Sequence, residues 1–99
     1  MVDVQFFDYK YLSAKEICLL GNDLELLCVA WCCKEALYKL IGLKGLSLKE
    51  NFNIHTLPIN DVLLINIVNN NALIKTFSIK FVKINNYILA YSSKLVKMN

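Results

Sequence analysis

Trp31, Glu35 and Lys39 follow one another at four-residue steps in the run Trp31-Cys32-Cys33-Lys34-Glu35-Ala36-Leu37-Tyr38-Lys39. On a helix this spacing stacks the three side chains in one stripe, a polar seam that starts beside an apolar face. Taken by periodicity alone, Glu35 and Lys39 make an i,i+4 salt bridge, worth roughly 0.2–0.5 kcal/mol. Cys28 and Cys32 repeat the same four-residue step, a spacing that can seat two metal ligands. No second Cys or His pair follows to complete a four-ligand site, and the lone His55 is far along the chain. The four cysteines therefore read chiefly as small buried thiols, which implies a reducing cytoplasm.

The elements that must carry these residues are readable from the pattern. Residues 2–7 alternate partly, as a short strand does. Ser13 with Glu16 three positions later forms a capping-box signature for a helix over 14–20, ended by Gly21. Asn22 or Asp23 caps a second helix over 24–41, in which Leu27, Ala30, Trp31, Leu37, Tyr38 and Ile41 recur at three- and four-residue steps. Gly42 stops it, residues 42–45 turn, and residues 47–50 add a short helical turn. Strands are expected over 52–57, 62–68, 72–84 and 87–92, with Asn69-Asn70-Asn71 and Asn85-Asn86 as turns because Asn tolerates positive φ. Strand, two helices and then an antiparallel meander predict an α+β domain with the long helix on one sheet face.

Composition bounds the rest. The 99 residues suffice for one compact domain over 1–99, and 57% hydrophobic against 19% charged residues predicts a folded core. So apolar a short chain is also expected to cover a subunit or domain interface. The formal net charge is +3, and all eleven basic residues are lysine. Nucleic-acid readers concentrate arginine for bidentate contacts, so nucleic acid is not the expected partner. A mildly basic surface suits an acidic protein or a phosphorylated ligand. The N-terminal stretch carries no signal-peptide pattern, and the apolar run from Leu26 to Cys33 is far short of a membrane span. The expected location is cytoplasmic, with no membrane partner.

The run Trp31 to Lys39 closely resembles the Trp-x-x-Lys-Glu-Ala-x-x-Lys signature of the 4'-phosphopantetheinyl transferases, and Gly42 to Glu50 is similar to that family's continuation. Upstream, Val2-Asp3-Val4-Gln5 resembles the family's Gly-Ile-Asp-Ile-Glu strand, with Met1 where the Gly would stand. Leu12-Ser13-Ala14-Lys15-Glu16 resembles the Leu-Ser-x-x-Glu segment that opens the intervening helix. The likeness covers most of the chain and is strongest over 28–50.

This resemblance implies a holo-acyl-carrier-protein synthase-like activity. The phosphopantetheine arm of coenzyme A passes to a serine of an apo acyl carrier protein, and 3',5'-adenosine bisphosphate leaves. By the same resemblance Asp3 and Glu35 are the Mg²⁺ ligands, and Glu35 and Lys39 the catalytic pair. Lys34, Lys39 and Lys44 would contact coenzyme A, while Trp31 anchors the helix. Gln5 stands where many members have a second acidic ligand, and the segment between Gln5 and Leu12 is shorter than usual. In extent the chain resembles only the second half of the larger members, whose ligand lies between two halves. The resemblance therefore implies a homo-oligomer, with Lys10, Lys15 or Lys44 of one chain near its neighbour's ligand. The alternative is a catalytically inactive remnant of the same fold that binds or supports a partner.

Overall fold

The computed structural model describes residues 2–3, 9–21, 23–42, 45–85, 87–91 and 97–98. Strand β1 (Val2–Asp3) is followed by a 3-10 turn at Tyr9–Tyr11, helix α1 (Ala14–Leu20) and helix α2 (Leu24–Ile41). Strands β2 (Phe52–Asn53), β3 (Val62–Asn69), β4 (Ala72–Ile84), β5 (Tyr87–Tyr91) and β6 (Lys97–Met98) complete the chain. The architecture is α+β, as the pattern predicts.

Both helices start where their caps dictate. The Ser13 hydroxyl accepts from the Glu16 amide at 3.2 Å while the Glu16 carboxylate accepts from the Ser13 amide at 2.8 Å. Asp23 rather than Asn22 caps α2, its carboxylate accepting from the Leu26 amide at 3.1 Å. At the other end Gly42 adopts φ 64°, a left-handed cap, and its amide donates to the Tyr38 carbonyl. A side chain there would be strained, which is why the helix stops at a glycine.

The sheet runs in the order β1-β5-β4-β3-β2, with every neighbouring pair antiparallel. β6 pairs Thr76 and Phe77 of β4, on the edge opposite β3. The turns of the meander use Asn70 (φ 53°), Asn71 (φ 63°) and Asn85 (φ 54°), as the asparagine runs suggest. One expected strand is shortened. Residues 52–57 pair only at Phe52–Asn53, because the Ile54 amide donates to the Glu16 carboxylate at 2.8 Å instead of to a strand neighbour.

Alternation on the central strands defines two faces. Leu63, Ile65 and Ile67 of β3 and Phe77 and Ile79 of β4 are buried, with Ile88 of β5 beside them. Against them α2 packs Leu27, Cys28, Ala30, Cys32, Cys33 and Leu37. Each fully buried Leu or Ile contributes about 1.5–3 kcal/mol, so this helix-on-sheet layer holds the fold. The Cys32 thiol also donates to the Ile88 carbonyl at 3.2 Å, pinning α2 over β5. On the opposite face no helix packs among the described residues. Leu64, Val82, Ile84, Tyr87 and Tyr91 are exposed there.

Candidate functional site

An open cleft of about 530 Å³ lies beside the C-terminal half of α2. Three segments line it: Lys10 and Tyr11 from the 3-10 turn, Glu35 and Tyr38 from α2, and Leu46 to Lys49 from the stretch that precedes β2. That last stretch is fixed by a single uncontinued turn. The Asn51 amide donates to the Ser47 carbonyl at 2.8 Å, and the Glu50 amide to the Ser47 hydroxyl at 3.2 Å. The Asn51 side chain closes the loop, accepting from the Ser47 amide and donating to the Val68 carbonyl, both at 2.8 Å.

Glu35 and Lys39 are paired at 3.3 Å, with the Glu35 side chain 36% and the Lys39 side chain 75% exposed. In so wet a setting the pair contributes little to stability, and both groups can turn to a ligand. Lys10 and Lys49 are basic residues that line the cleft together with Glu35. Aromatic rings shape the same site. Tyr11 stacks on Trp31 with centroids 5.5 Å apart and planes 10° apart, and the Lys10 ammonium lies 5.0 Å from the Tyr11 ring centre. Trp31 packs against the core, consistent with its expected anchoring role.

Lys34 departs from its expected role. It is buried, and its three donors reach the Glu16 carboxylate at 2.6 Å, the Leu48 carbonyl at 2.8 Å and the Tyr11 carbonyl at 3.2 Å. An ammonium has three donors, so this set is complete and none points to a phosphate. Burial pulls the Lys34 ammonium below the usual lysine range, with the Glu16 carboxylate acting against that pull. A buried charge of this kind stays in place only because it is paired and hydrogen-bonded.

The other expected site residues divide. Asp3 is located by its strand: it pairs opposite Tyr87, next to the Val2–Ile88 pair. β1 contacts α2, and its Val2 lies opposite Ile88, whose carbonyl Cys32 reaches. Lys44 lies outside the described residues. Lys15 is exposed on α1 and Lys10 lines the cleft of its own chain. His55 is exposed in the loop after β2. Cys28, Cys32 and Cys33 are buried thiols and Cys18 is exposed. Among the described residues no three His, Cys, Asp or Glu side chains gather as a metal site, so the Cys28–Cys32 spacing does not make one.

No family model, curated protein or solved structure matches the chain. Sequence reasoning missed Lys49 and the cleft role of Lys10 within one chain. The signal for Lys49 is its place in the short helical turn expected over 47–50.

Proposed function

We propose that this chain transfers the 4'-phosphopantetheine arm of coenzyme A to a serine of an apo acyl carrier protein. The observation that carries the reading is the cleft: Glu35, paired with the exposed Lys39 on the signature helix, lines it together with Lys10, Ser47 and Lys49. Such a lining suits a pyrophosphate, whose charge must be neutralised while it is held in line for attack.

The residues fit a hard cation in type. Glu35 offers an accessible carboxylate, and Asp3 on the strand beside α2 supplies a second in this reading. Mg²⁺ keeps several waters and needs only one or two carboxylates plus phosphate oxygens, so a dense protein cage is not required. When bound, the cation would draw charge from the pyrophosphate. Lys39, Lys10 and Lys49 would hold the phosphates by charge, and Tyr11 and Tyr38 would give the apolar parts of the ligand a surface. The carrier serine hydroxyl attacks the β-phosphorus, the bond to the bridging oxygen breaks, and 3',5'-adenosine bisphosphate departs with the electron pair. Glu35, or a water it orients, takes the hydroxyl proton.

Association of identical chains belongs to the same reading. The exposed Leu64, Val82, Ile84, Tyr87 and Tyr91 share the sheet face that α2 does not cover, and a second copy would cover these apolar side chains. No helix of the described residues is long and apolar enough to cross a membrane, and a cytoplasmic setting goes with the reading.

Incubation with an apo acyl carrier protein, coenzyme A and Mg²⁺, followed by intact-mass measurement of the carrier, tests the proposal. A gain of one phosphopantetheine that disappears with chelator and with Glu35→Gln supports the transferase. No gain on any carrier, with coenzyme A still bound, assigns the cleft to binding alone. Sedimentation as a stable folded monomer at micromolar concentration would remove the oligomer from the reading.

A further inference from the structure

Lys34 directs its three donors into the protein, and two of these contacts reach segments that line the cleft. Its ammonium donates to the Tyr11 carbonyl at 3.2 Å and to the Leu48 carbonyl at 2.8 Å. Tyr11 and Leu48 belong to two segments separated by 37 positions, and both line the cleft. Lys10 precedes one of these carbonyls and Lys49 follows the other, so the two extra cleft lysines each adjoin a backbone group that Lys34 holds. Glu35, the cleft carboxylate, is the residue next to Lys34 on α2. The anchor beneath is rigid: Glu16 accepts from Lys34 at 2.6 Å, from the Ser13 amide at 2.8 Å and from the Ile54 amide at 2.8 Å.

We infer that Lys34, seated on Glu16, is a positioning residue that ties the Lys10–Tyr11 turn to the Leu46–Lys49 stretch and so sets the spacing of Lys10 and Lys49 across the anion-binding cleft. The clamp uses one buried ammonium as a shared donor for two carbonyls that no regular secondary structure pairs. Each carbonyl is a strong acceptor that must be satisfied where water is scarce. A three-donor cation supplies both at once while its charge is met by the carboxylate. Without it the two carbonyls lose the donor they share, and the segments loosen relative to each other, although α2 and the sheet keep their packing. The inference about ligand affinity rests on the proposed reading of the cleft; the inference about the clamp rests on geometry alone.

The test is the double substitution Lys34→Met with Glu16→Gln. Met matches the length of Lys and donates nothing, while Gln keeps an acceptor for the helix cap. Removing both charges avoids leaving one alone in the core, which by itself would destabilise the protein. Two readouts are followed by native-state amide exchange and by calorimetry with coenzyme A and Mg²⁺. The expected result is a folded protein in which the Ser47 and Asn51 amides exchange about tenfold faster or more, while α2 amides in the core keep their protection. Coenzyme A affinity is expected to fall about tenfold or more, the scale of losing hydrogen bonds to a charged donor.

A folded double variant with unchanged exchange at Ser47 and Asn51 overturns the clamp, whatever coenzyme A does. Should the wild-type protein fail to bind coenzyme A, the proposed function falls while the exchange result still decides the clamp. Should the double variant not fold, wild-type exchange decides: protection of the Ser47 and Asn51 amides as deep as that of α2 supports the clamp. Exchange there far faster than in α2 overturns it. Trp31, the only tryptophan, gives an independent optical check, because it stacks on Tyr11. Its emission is expected to shift when the Tyr11 carbonyl loses its donor.

Discussion

Two Lys–Glu pairs meet on α2 one residue apart and have opposite fates. Lys34 and Glu16 are 2.6 Å apart with 0% and 2% of their side-chain surfaces exposed. Lys39 and Glu35 are 3.3 Å apart with 75% and 36% exposed. Neighbouring residues on a helix point about 100° apart, so one step along the chain separates core from solvent. The buried pair is an architectural joint between α1, the 3-10 turn, α2 and the stretch before β2. The wet pair contributes little to the fold and is free to exchange its partner for a ligand. Charge in the interior organises; charge at the rim is available for chemistry.

The largest break in that contrast comes from Lys34→Ala. Glu16 would be left buried without its counter-charge, and stability is expected to drop by about 3–5 kcal/mol, read as a lowered denaturant midpoint. A loss below about 1 kcal/mol would mean that the pair is far wetter than its burial indicates. Next is Ser13→Ala, which removes one half of the capping box beneath Glu16. It is expected to cost about 1 kcal/mol by the same measurement. Lys39→Ala sharpens the other side of the comparison. Stability should move by less than about 0.5 kcal/mol, whereas coenzyme A binding should weaken about fivefold or more by titration. A change in stability with no change in affinity would reverse the roles assigned to the two pairs.

The smallest effect concerns the thiols on the same helices. Burial, reinforced by the neighbouring Cys32, pushes the Cys33 thiol far above its usual range, so the reactive thiolate is suppressed. At about pH 8 a thiol reagent is expected to modify exposed Cys18 in the native protein and all four cysteines only in denaturant. Rapid native labelling of Cys33 would show that the core around Lys34 opens readily.

Much of the fold was legible because local signals agreed with the global arrangement. The Ser13–Glu16 box and Asp23 act through hydrogen bonds within three residues, and Gly42 and the asparagine turns through their own conformational preference, so each is readable locally. The fate of Lys34 was not read, although a signal existed. Leu27, Ala30, Leu37 and Ile41 leave a gap in their three-four rhythm, and Lys34 fills it. A lysine in the apolar stripe of a helix asks for a buried acid, and Glu16 was already assigned a local capping task that hid its second role. The shortened second strand has the same cause, since the Ile54 donor is captured by that carboxylate. Long-range side-chain contacts of this kind leave no periodic trace. The cleft was partly legible: Glu35 and Lys39 were found through the helix, but Lys10 and Lys49 come together only through folding.

Val2 and Asp3 pair with Ile88 and Tyr87, so the first strand is joined to nearly the last. The β3–β4 and β4–β5 hairpins close through short turns and can form as soon as their residues exist. The β1–β5 pair must instead close a loop spanning most of the chain. During synthesis Asp3 leaves the ribosome well before Tyr87 and has no strand to join until Tyr87 has been made. The strand that carries the proposed second Mg²⁺ ligand therefore depends on the longest loop closure in the sheet, and the hairpin meander is the template on which it lands.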